Sequence, residues 1–304
     1  MSSFSEKVVL KTCKPGPKKG AQKKLFRLFF AFTGHGCQKI EFQAEMIGGF
    51  GRVDQVIAVF AVKIAGALGG FPEAAEEFRL SGGRGMNVTA PFKLDAFAYA
   101  TDLTEQARLA GAANALKFES GRIHAQNFDG IGLVRDIVHN LGTPMAGRRV
   151  LLLGAGGAAR GAMLPFLNQK PAQLLVVNRT VSKAWDLVSE FGRYAEGEFS
   201  CCSYPELGDL PGKFDLVINA TSASLRGELP PVHTGVFAPG CLAYELAYGK
   251  GLTPFLNLAR GAGAQRLADG VGMLVEQAAE AFAWWRGVRP ETAALISRLT
   301  VPLA

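Results

Sequence analysis

The sequence is poor in cysteine and contains no long uninterrupted apolar run. Its five cysteines lack the paired CxxC spacing that is typical of zinc or redox sites. The longest apolar run, VIAVFAVKIAGALGG from Val56, contains Lys63 and is shorter than the ~20 residues that a membrane-spanning helix needs. We therefore predict a cytoplasmic protein with no metal site and no membrane partner.

Acidic residues are scarce only near the N-terminus. Residues 1–27 contain eight Lys or Arg and one Glu, whereas the remainder contains 25 basic and 25 acidic residues. The formal net charge of +7 therefore belongs to this first segment. A basic segment can contact phosphates, but no nucleic-acid-binding motif accompanies it. We expect a solvated segment and no nucleic-acid partner.

What the chain does contain, from about residue 150, is an alternation of short β-rich runs and helical spacers. The runs begin RVLLLGAGG, QLLVVNRT, FDLVINATS and CLAYELAYG. This alternation predicts an α/β fold with a parallel, doubly wound sheet. Upstream, FPEAAEEFRLSGGRGMNVTAPFKLDAFAYA predicts a second α/β unit of helix, turn, short strand, turn and helix.

The C-terminal region has the pattern of one amphipathic helix. Leu274, Ala278, Ala281 and Trp285 recur at helical spacing, and Gly287 ends the pattern. With no low-complexity linker in the chain, we place the domain boundaries in connectors near residues 129 and 270.

The run LLLGAGGAARG contains a glycine pattern that is typical of dinucleotide binding. Gly154, Gly156 and Ala159 have the G-x-G-x-x-G/A spacing between a predicted strand and a predicted helix. The missing side chains permit a tight turn and let backbone N–H groups at the helix N-terminus approach a pyrophosphate. We therefore predict a nicotinamide dinucleotide as cofactor.

The end of the next predicted strand favours NADP over NAD. NAD sites usually end this strand with an acidic residue that binds the ribose 2′-hydroxyl, whereas a 2′-phosphate requires positive charge. Here the strand ends in Asn178-Arg179-Thr180, followed by Lys183. The planar Arg179 guanidinium can pair with a phosphate.

Three N-x-T triplets follow β-type runs, at residues 87–89, 178–180 and 219–221. They match the N-glycosylation pattern, but no credible secretory signal accompanies them. Ligands of open α/β sheets gather at the carboxyl ends of strands, so these side chains are candidates for ligand contact. Capping of the turns by Asn and Thr is the alternative interpretation.

Eight motifs occur in the order in which they occur in the shikimate dehydrogenase family. They are GMNVTAPFK, AGAANAL, NFDGIG, GAGGAARG, NRT, NATSAS, YGKGLTPFL and DGVGMLVEQAAEAF. The chain resembles this family over about residues 68–290. The resemblance implies a two-domain reductase, monomeric or homodimeric, that interconverts 3-dehydroshikimate and shikimate with NADP(H) in aromatic amino acid biosynthesis.

The resemblance also implies the domain bounds and the site residues. Residues 1–128 would form the substrate domain, 129–269 a Rossmann-type NADP domain, and 270–304 helices that return to the substrate domain. Lys93 and Asp129 would be the catalytic pair. The substrate contacts would be Asn87, Thr89, Asn114, Tyr248 and Gln277. The cofactor contacts would be Gly154, Ala155, Gly156, Gly157, Ala158, Asn178, Arg179, Thr180, Lys183, Thr221 and Gly270, with Glu105 and Leu246 as weaker members.

The chemistry of ketone reduction gives a reason for the catalytic pair. Hydride delivery to a ketone leaves a developing alkoxide, so a proton donor must stand at that oxygen. The ammonium of Lys93 can be this donor, and Asp129 can hold it in place if the two meet across the cleft. Pro91 stiffens the turn that presents the lysine.

The chain departs from the family at three places. The family's first motif, GNPIxHSxSPxxH, carries two serines that grip the substrate carboxylate, and it is missing here. Residues 1–65 are therefore either a divergent substrate end or out-of-frame sequence. In addition, Phe128 stands where a threonine is usual, and Glu245 stands where an aspartate often precedes the tyrosine.

Two other functions remain open at this point. Because the missing serines contact the carboxylate, the chain could be a paralogue that acts on quinate or a related hydroxy acid, although Arg179 argues against an NAD-preferring quinate enzyme. Alternatively, it could bind NADP with little or no catalysis.

Overall fold

The computed structural model describes residues 69–249 and 251–303, together with the backbone of two short strands, β1 (Ala44–Ile47) and β2 (Val59–Val62). These two strands pair in antiparallel fashion. They lie in the first of two compact units, residues 1–67, whereas every other element lies in the second, residues 68–304. Apart from the backbone of these two strands, the atypical residues 1–65 lie outside the described residues.

Helices and strands alternate along the second unit, as the sequence predicts. In chain order they are α1 (Phe71–Leu80), β3 (Gly85–Asn87), α2 (Lys93–Tyr99), β4 (Asp102–Leu103), α3 (Glu105–Ala110), β5 (Ala115–Glu119), β6 (Arg122–Gln126), α4 (Asp129–Arg135), β7 (Arg149–Leu153), α5 (Gly157–Leu167), β8 (Gln173–Val177), α6 (Val181–Phe191), β9 (Glu198–Cys202), α7 (Tyr204–Asp209), β10 (Phe214–Asn219), β11 (Phe237–Glu245), α8 (Pro254–Gly261), β12 (Arg266–Asp269), α9 (Val271–Arg286) and α10 (Ala293–Leu299). Helix α4 continues into a π-helical turn, Asp136–Asn140. In the part of the chain that the structure describes, no helix is long and apolar enough to cross a bilayer.

Six parallel strands form the larger sheet, in the order β12-β11-β10-β7-β8-β9. Both faces are buried, because successive side chains of a strand point to opposite sides and both sides are apolar. In β7, Val150 and Leu152 pack into the core on one face, and Leu151 and Leu153 pack into the core on the other. The predicted doubly wound parallel sheet is confirmed.

Four shorter strands form a second sheet, in the order β3-β5-β6-β4, with β4 parallel to β6 and the other pairs antiparallel. Helices α1 and α2 share an apolar core with it, in which Ala75, Ala96 and Leu116 are almost fully buried. This sheet with its helices is the predicted second α/β unit.

Helix α4 packs closely against two other helices through glycines. A Cβ added to Gly130 would lie 2.2 Å from the carbonyl oxygen of Gly161 in α5, and a Cβ added to Gly132 would lie 2.6 Å from the backbone nitrogen of Gln277 in α9. Distances this short exclude any side chain. The two glycines therefore fix α4 between a helix of the larger sheet and the long C-terminal helix.

The C-terminal helix forms as predicted, and Gly287 ends it with a φ of 73°. Its buried face matches the predicted one only in part, since Ala281 is fully buried as expected. Val275 and Ala279 are buried, whereas Leu274 and Ala278 are only partly buried. The fourth predicted residue, Trp285, is partly buried against the smaller sheet, where its Nε1 donates a hydrogen bond to the carbonyl oxygen of Leu116 at 3.0 Å.

We expect Gly130→Ala to lower the melting temperature of the full-length chain, because its methyl group would collide with backbone atoms of α5. Overpacking of this kind costs about 1–3 kcal/mol. Gly208→Ala in α7 is the matched control, since an added Cβ there would meet no atom within 4 Å and alanine favours helix. Thermal unfolding followed by circular dichroism measures both; equal melting temperatures for the two variants would contradict the packing described above.

Candidate functional site

Lys93 is held by its backbone at the start of α2. The preceding turn contains a cis Ala90–Pro91 peptide and is closed by a 3.0 Å hydrogen bond from the Phe92 N–H to the Thr89 carbonyl oxygen. The Ala113 N–H donates to the Lys93 carbonyl oxygen at 2.9 Å. Lys93 is therefore tied to the start of strand β5, and its position does not depend on the side chain.

Asp129 is the first residue of α4, and its N–H donates to Asn127 Oδ1 at 3.1 Å. Its Oδ2 lies 2.5 Å from Lys93 Nζ. The side chain of Lys93 is 29% exposed and that of Asp129 is 17% exposed. The predicted pair therefore meets, and both groups remain open to solvent and to a ligand.

Asn114 orients Asp129 from the other side. Its Nδ2 donates to Asp129 Oδ1 at 2.9 Å and to Gln277 Oε1 at 3.2 Å. Its Oδ1 accepts a hydrogen bond from the Phe128 N–H at 2.9 Å. Asn114 is only 2% exposed, so this amide holds both the Asp129 carboxylate and α9 with bonds that water cannot easily replace.

Tyr248 and Gln277 complete this cluster. Burial raises the pKa of Tyr248, and the negative charge of nearby Asp129 raises it further. Gln277 is buried, and its Nε2 donates to the carbonyl oxygen of Leu274 at 2.9 Å. Both predicted residues thus lie with the Lys93–Asp129 pair.

Asn87 and Thr89 lie at the end of strand β3, beside Asn114. Both side chains are exposed, and the Val88 N–H between them donates to the Asn114 carbonyl oxygen at 2.7 Å. The structure therefore brings all five predicted substrate contacts to one region around the Lys93–Asp129 pair.

The glycine turn leaves open space for a phosphate group. Gly154 has a φ of +105°, which other residues adopt only with strain. Gly156 and Gly157 are exposed at the start of α5, and a Cβ on either would meet no atom within 4 Å. Ala155 and Ala158 lie in the same turn. Backbone N–H groups at a helix N-terminus with free space in front of them fit the pyrophosphate of a dinucleotide.

Two of the three N-x-T asparagines cap their own turns. Asn178 Oδ1 accepts from the Ala155 N–H at 3.3 Å, and its Nδ2 donates to the Thr180 carbonyl oxygen at 2.8 Å. Asn219 Oδ1 accepts from the Thr221 N–H at 3.1 Å and from the Thr221 hydroxyl at 2.7 Å. These asparagines therefore shape the carboxyl edge of the larger sheet, as the capping interpretation requires.

Positive charge lies exposed beside this turn. Arg179 and Lys183 are both exposed. Burial raises the pKa of Tyr204 to about 12, whereas the charge of nearby Arg179 acts to lower it. Arg179 thus follows the end of β8 with its side chain exposed, where its guanidinium is accessible to a phosphate.

Gly270 and Leu246 are in direct contact, since a Cβ on Gly270 would lie 2.2 Å from the Leu246 carbonyl oxygen. The Leu246 N–H donates to the Asn219 carbonyl oxygen at 3.0 Å, which places both residues near Thr221. Glu105 is the first residue of α3. Its Oε1 accepts a 2.8 Å hydrogen bond from Tyr194, which follows the C-terminal end of α6, whereas Arg179 precedes the N-terminal end of that helix.

Glu245 is a buried carboxylate. The sequence showed it only as a departure from the aspartate that is common in the family, and gave no role for it. It accepts hydrogen bonds from Asn219 Nδ2 at 2.9 Å and from Thr253 Oγ1 at 3.2 Å, and also from the Ser224 hydroxyl. Burial raises its pKa above the usual range for a glutamate. It therefore serves to hold the strand ends on which Thr221 and Leu246 depend.

Phe128 contributes to the site through its backbone alone. Its N–H binds Asn114, while its ring packs edge-on against Trp284 with centroids 5.8 Å apart. A phenylalanine in this place therefore leaves the position of Asp129 unchanged, because the backbone makes the contact.

Comparison with known proteins decides the family. The family models that match are "Shikimate dehydrogenase substrate binding domain" over residues 52–116, "Shikimate / quinate 5-dehydrogenase" over 136–226 and "Shikimate 5′-dehydrogenase C-terminal domain" over 270–299. The chain is 54% identical over 237 residues to the shikimate dehydrogenase (NADP(+)) of Chromobacterium violaceum, a match that covers 78% of this chain and 85% of the relative. The chain belongs to the shikimate dehydrogenase family.

Solved structures of the family agree with the fold. The Ael1 enzyme from Pseudomonas putida is 59% identical with a TM-score of 0.74, and the match covers 79% of this chain and 86% of that one. The shikimate 5-dehydrogenase from Thermus thermophilus, solved in complex with NADP(H) and shikimate, is 28% identical with a TM-score of 0.65, covering 76% and 83%. The predicted family and two-domain Rossmann-type fold class are thereby confirmed.

We expect Asn114→Ala to lower the free energy of unfolding by about 1–3 kcal/mol, because the Phe128 N–H would be left buried without a partner. Urea unfolding of the full-length chain measures this change. Asn257→Ala is the control, since Asn257 is exposed and binds only an exposed arginine. A loss as small as that of the control would show that Asn114 does not hold the site together.

Proposed function

We propose that this chain is an NADP-dependent shikimate dehydrogenase in which Lys93 and Asp129 form the acid–base pair. The observation that carries this proposal is the 2.5 Å contact of two partly exposed side chains, Lys93 Nζ and Asp129 Oδ2, from elements 36 residues apart. The names of the relatives, shikimate dehydrogenase (NADP(+)), support both the substrate and the cofactor.

When bound, NADPH would supply a hydride to the ketone carbon of 3-dehydroshikimate. Lys93 donates a proton to the ketone oxygen, so that no free alkoxide forms. In the oxidation of shikimate the same nitrogen accepts that proton. Because 29% of the Lys93 side chain is exposed, solvent can return or remove the proton between turnovers.

Asp129 holds the ammonium in place and accepts a hydrogen bond from a substrate hydroxyl. It can do so because one oxygen binds Lys93 and the other binds Asn114, which leaves further lone pairs on each oxygen. Asn87, Thr89, Tyr248 and Gln277 would bind the remaining hydroxyls and the carboxylate. Their arrangement around the pair supports these assignments.

The cofactor would lie along the carboxyl edge of the larger sheet. Gly154, Gly156 and Gly157 with the N-terminus of α5 would hold the pyrophosphate, and Arg179 with Lys183 would bind the 2′-phosphate. Thr221, Leu246 and Gly270 would contact the nicotinamide end, an assignment supported by their proximity to one another next to the strand ends of β10 and β11.

We retain the predicted domain bounds as part of this proposal. Residues 85–126 supply every strand of the smaller sheet, and residues 149–269 supply every strand of the larger one. Helix α9 then returns to the smaller sheet through Trp285. These facts support a substrate domain before residue 129, an NADP domain to residue 269, and C-terminal helices from residue 270.

We expect Lys93→Ala to lower turnover of shikimate by at least about 100-fold, since general acid–base catalysis contributes roughly 10²–10⁴-fold. NADPH binding should be unchanged. The measurement is NADPH formation by absorbance, with quinate assayed beside shikimate, and NADPH affinity by fluorescence titration. Lys117→Ala is the matched control, because Lys117 pairs with Glu119 at 2.9 Å on strand β5 outside the site.

Each failure of this assay has a different meaning. Full activity in Lys93→Ala would remove Lys93 from the mechanism. A wild-type chain that prefers quinate would be the paralogue considered above, and one that binds NADPH without oxidising either acid would be a binding protein only.

We expect Arg179→Gln to weaken NADPH binding by about 10- to 100-fold and to leave NADH binding nearly unchanged. A hydrogen-bonded contact between charged groups contributes about 1.5–3 kcal/mol, and only NADPH carries the 2′-phosphate. Fluorescence titration with both dinucleotides measures this. Arg193→Gln, an exposed arginine beyond the far end of α6, is the control. Equal losses for NADH and NADPH would contradict the assignment of Arg179.

A further inference from the structure

A buried group of hydrogen-bonded side chains, here called the node, consists of Tyr244, Asp136 and Asn140. The Tyr244 hydroxyl, on strand β11, donates to Asp136 Oδ2 at 2.8 Å, and Asn140 Nδ2 donates to Asp136 Oδ1 at 2.9 Å. Tyr244 is 0% exposed and Asp136 is 3% exposed. Burying a carboxylate is unfavourable unless its oxygens are hydrogen-bonded, and here both are.

The node joins three separate elements, namely β11, the π-helical turn that continues α4, and α9. Tyr244 belongs to the larger sheet, and Asp136 begins the π-helical turn that continues α4. From the third element, α9, the Met273 N–H donates to the Tyr244 oxygen at 3.4 Å. A Cβ added to Gly272 of α9 would lie 2.0 Å from Asp136 Oδ1, so the carboxylate fills the place of a side chain on that helix.

Asn140 extends the node to the C-terminal helices. Besides Asp136, its Nδ2 binds Glu276 Oε1 at 3.0 Å. Glu276 is only 2% exposed and also binds Thr292 Oγ1 at 2.7 Å and the guanidinium of Arg289. The polar chain therefore runs without a break from the larger sheet through α4 to α9 and the segment before α10.

The same three elements carry or adjoin residues of the proposed site other than Lys93, which lies on α2. Asp129 is the first residue of α4, Tyr248 follows β11, and Gln277 lies on α9 beside Glu276. Asn114 then joins two of them, because its Nδ2 binds both Asp129 and Gln277. A change in how α4 sits on β11 would therefore move Asp129, and with it the ion pair that holds Lys93, relative to the strand that borders the cofactor.

The hydrogen bond between Tyr244 and Asp136 fixes the position of α4 on the sheet more strictly than apolar packing would. Leucine and phenylalanine side chains would fill the same volume, but they would tolerate small sliding of α4 along the sheet. A tyrosine hydroxyl bound to one carboxylate oxygen fixes both the distance and the rotation of the helix.

We propose that Tyr244 and Asp136 are positioning residues that fix the Lys93–Asp129 pair relative to the cofactor sheet. Neither side chain touches substrate or cofactor; they act through α4 and α9. The inference rests on the proposed function, since it concerns the geometry between the proton donor and the hydride donor. The rate of catalysis therefore depends on the buried Tyr244–Asp136 hydrogen bond.

The test is Tyr244→Phe, which removes a single oxygen atom and keeps the ring. We expect the turnover number per NADPH-binding site, with sites counted by fluorescence titration, to fall about 10-fold, because small misplacements at a reacting centre have effects of this size or larger. The KM for NADPH should stay within about twofold, because the glycine turn is untouched. With 4-deuterated NADPH, the isotope effect on turnover should equal or exceed that of the wild type, because the hydride step has slowed.

Two further variants separate positioning from stability. Asp136→Asn keeps an acceptor oxygen for the Tyr244 hydroxyl but sets an amide NH2 against the Asn140 donor. It should therefore retain more of the turnover number than Asp136→Ala, which should lose about as much as Tyr244→Phe. Tyr99→Phe is the matched control. It removes a 2.7 Å bond from a tyrosine hydroxyl to Glu76 outside the site and should keep the wild-type turnover number.

The outcomes are distinguishable. A wild-type turnover number per binding site in Tyr244→Phe, with only fewer folded molecules, would show that the node merely stabilises the fold and would overturn the inference. A slower Tyr244→Phe with a smaller isotope effect would overturn it too, since a step other than hydride transfer would have slowed. If the wild-type chain itself reduces no 3-dehydroshikimate, the proposed function fails, and the inference fails with it.

Discussion

The close approach of α4 to its two neighbouring helices is the constraint on which the site depends. It requires glycine at residues 130 and 132, because backbone atoms of α5 and α9 occupy the space that a Cβ would need. Once α4 is fixed there, its first residue, Asp129, comes within 2.5 Å of Lys93. Packing of backbone against backbone therefore determines a contact between two side chains.

Hydrogen bonds further restrict the position of α4, which the close packing at the two glycines determines. Asn114 binds one oxygen of Asp129, and the chain of buried polar groups from Tyr244 to Glu276 ties the far end of α4 to the sheet and to α9. Burial acts to raise the pKa of Glu276, but its bonds to Thr292, Asn140 and nearby arginines outweigh this and hold it below the usual value. A charged Glu276 therefore remains at the centre of the C-terminal contacts.

Much of this architecture could be predicted from the sequence because it rests on local patterns. Apolar runs and glycine spacing predicted β7, the turn at Gly154 and helix α5, and the C-terminal helix followed from spacing and from Gly287. The meeting of Lys93 and Asp129 was predicted from the family's motifs. It could not come from periodicity, since the two residues lie in different elements.

Other contacts could not be predicted from the sequence around either partner. Asn114 and Gln277 are 163 residues apart, and Asp136 and Tyr244 are 108 apart, so each reads as an ordinary polar residue in its own segment. The placement of Glu105 beside Tyr194 likewise follows from how α3 packs on the larger domain. The burial of Val275 and Ala279 in place of Leu274 and Ala278 likewise has no local signal.

The return of α9 to the smaller sheet also decides how this protein can be divided. The chain completes every strand of the smaller sheet by residue 126 and every strand of the larger sheet by residue 269, and then crosses back to place Trp285 against Leu116. No single cut can separate the two halves. A chimera that exchanges the cofactor half between relatives therefore needs two junctions, one before α4 and one before α9, and the grafted piece is an insertion into a discontinuous host.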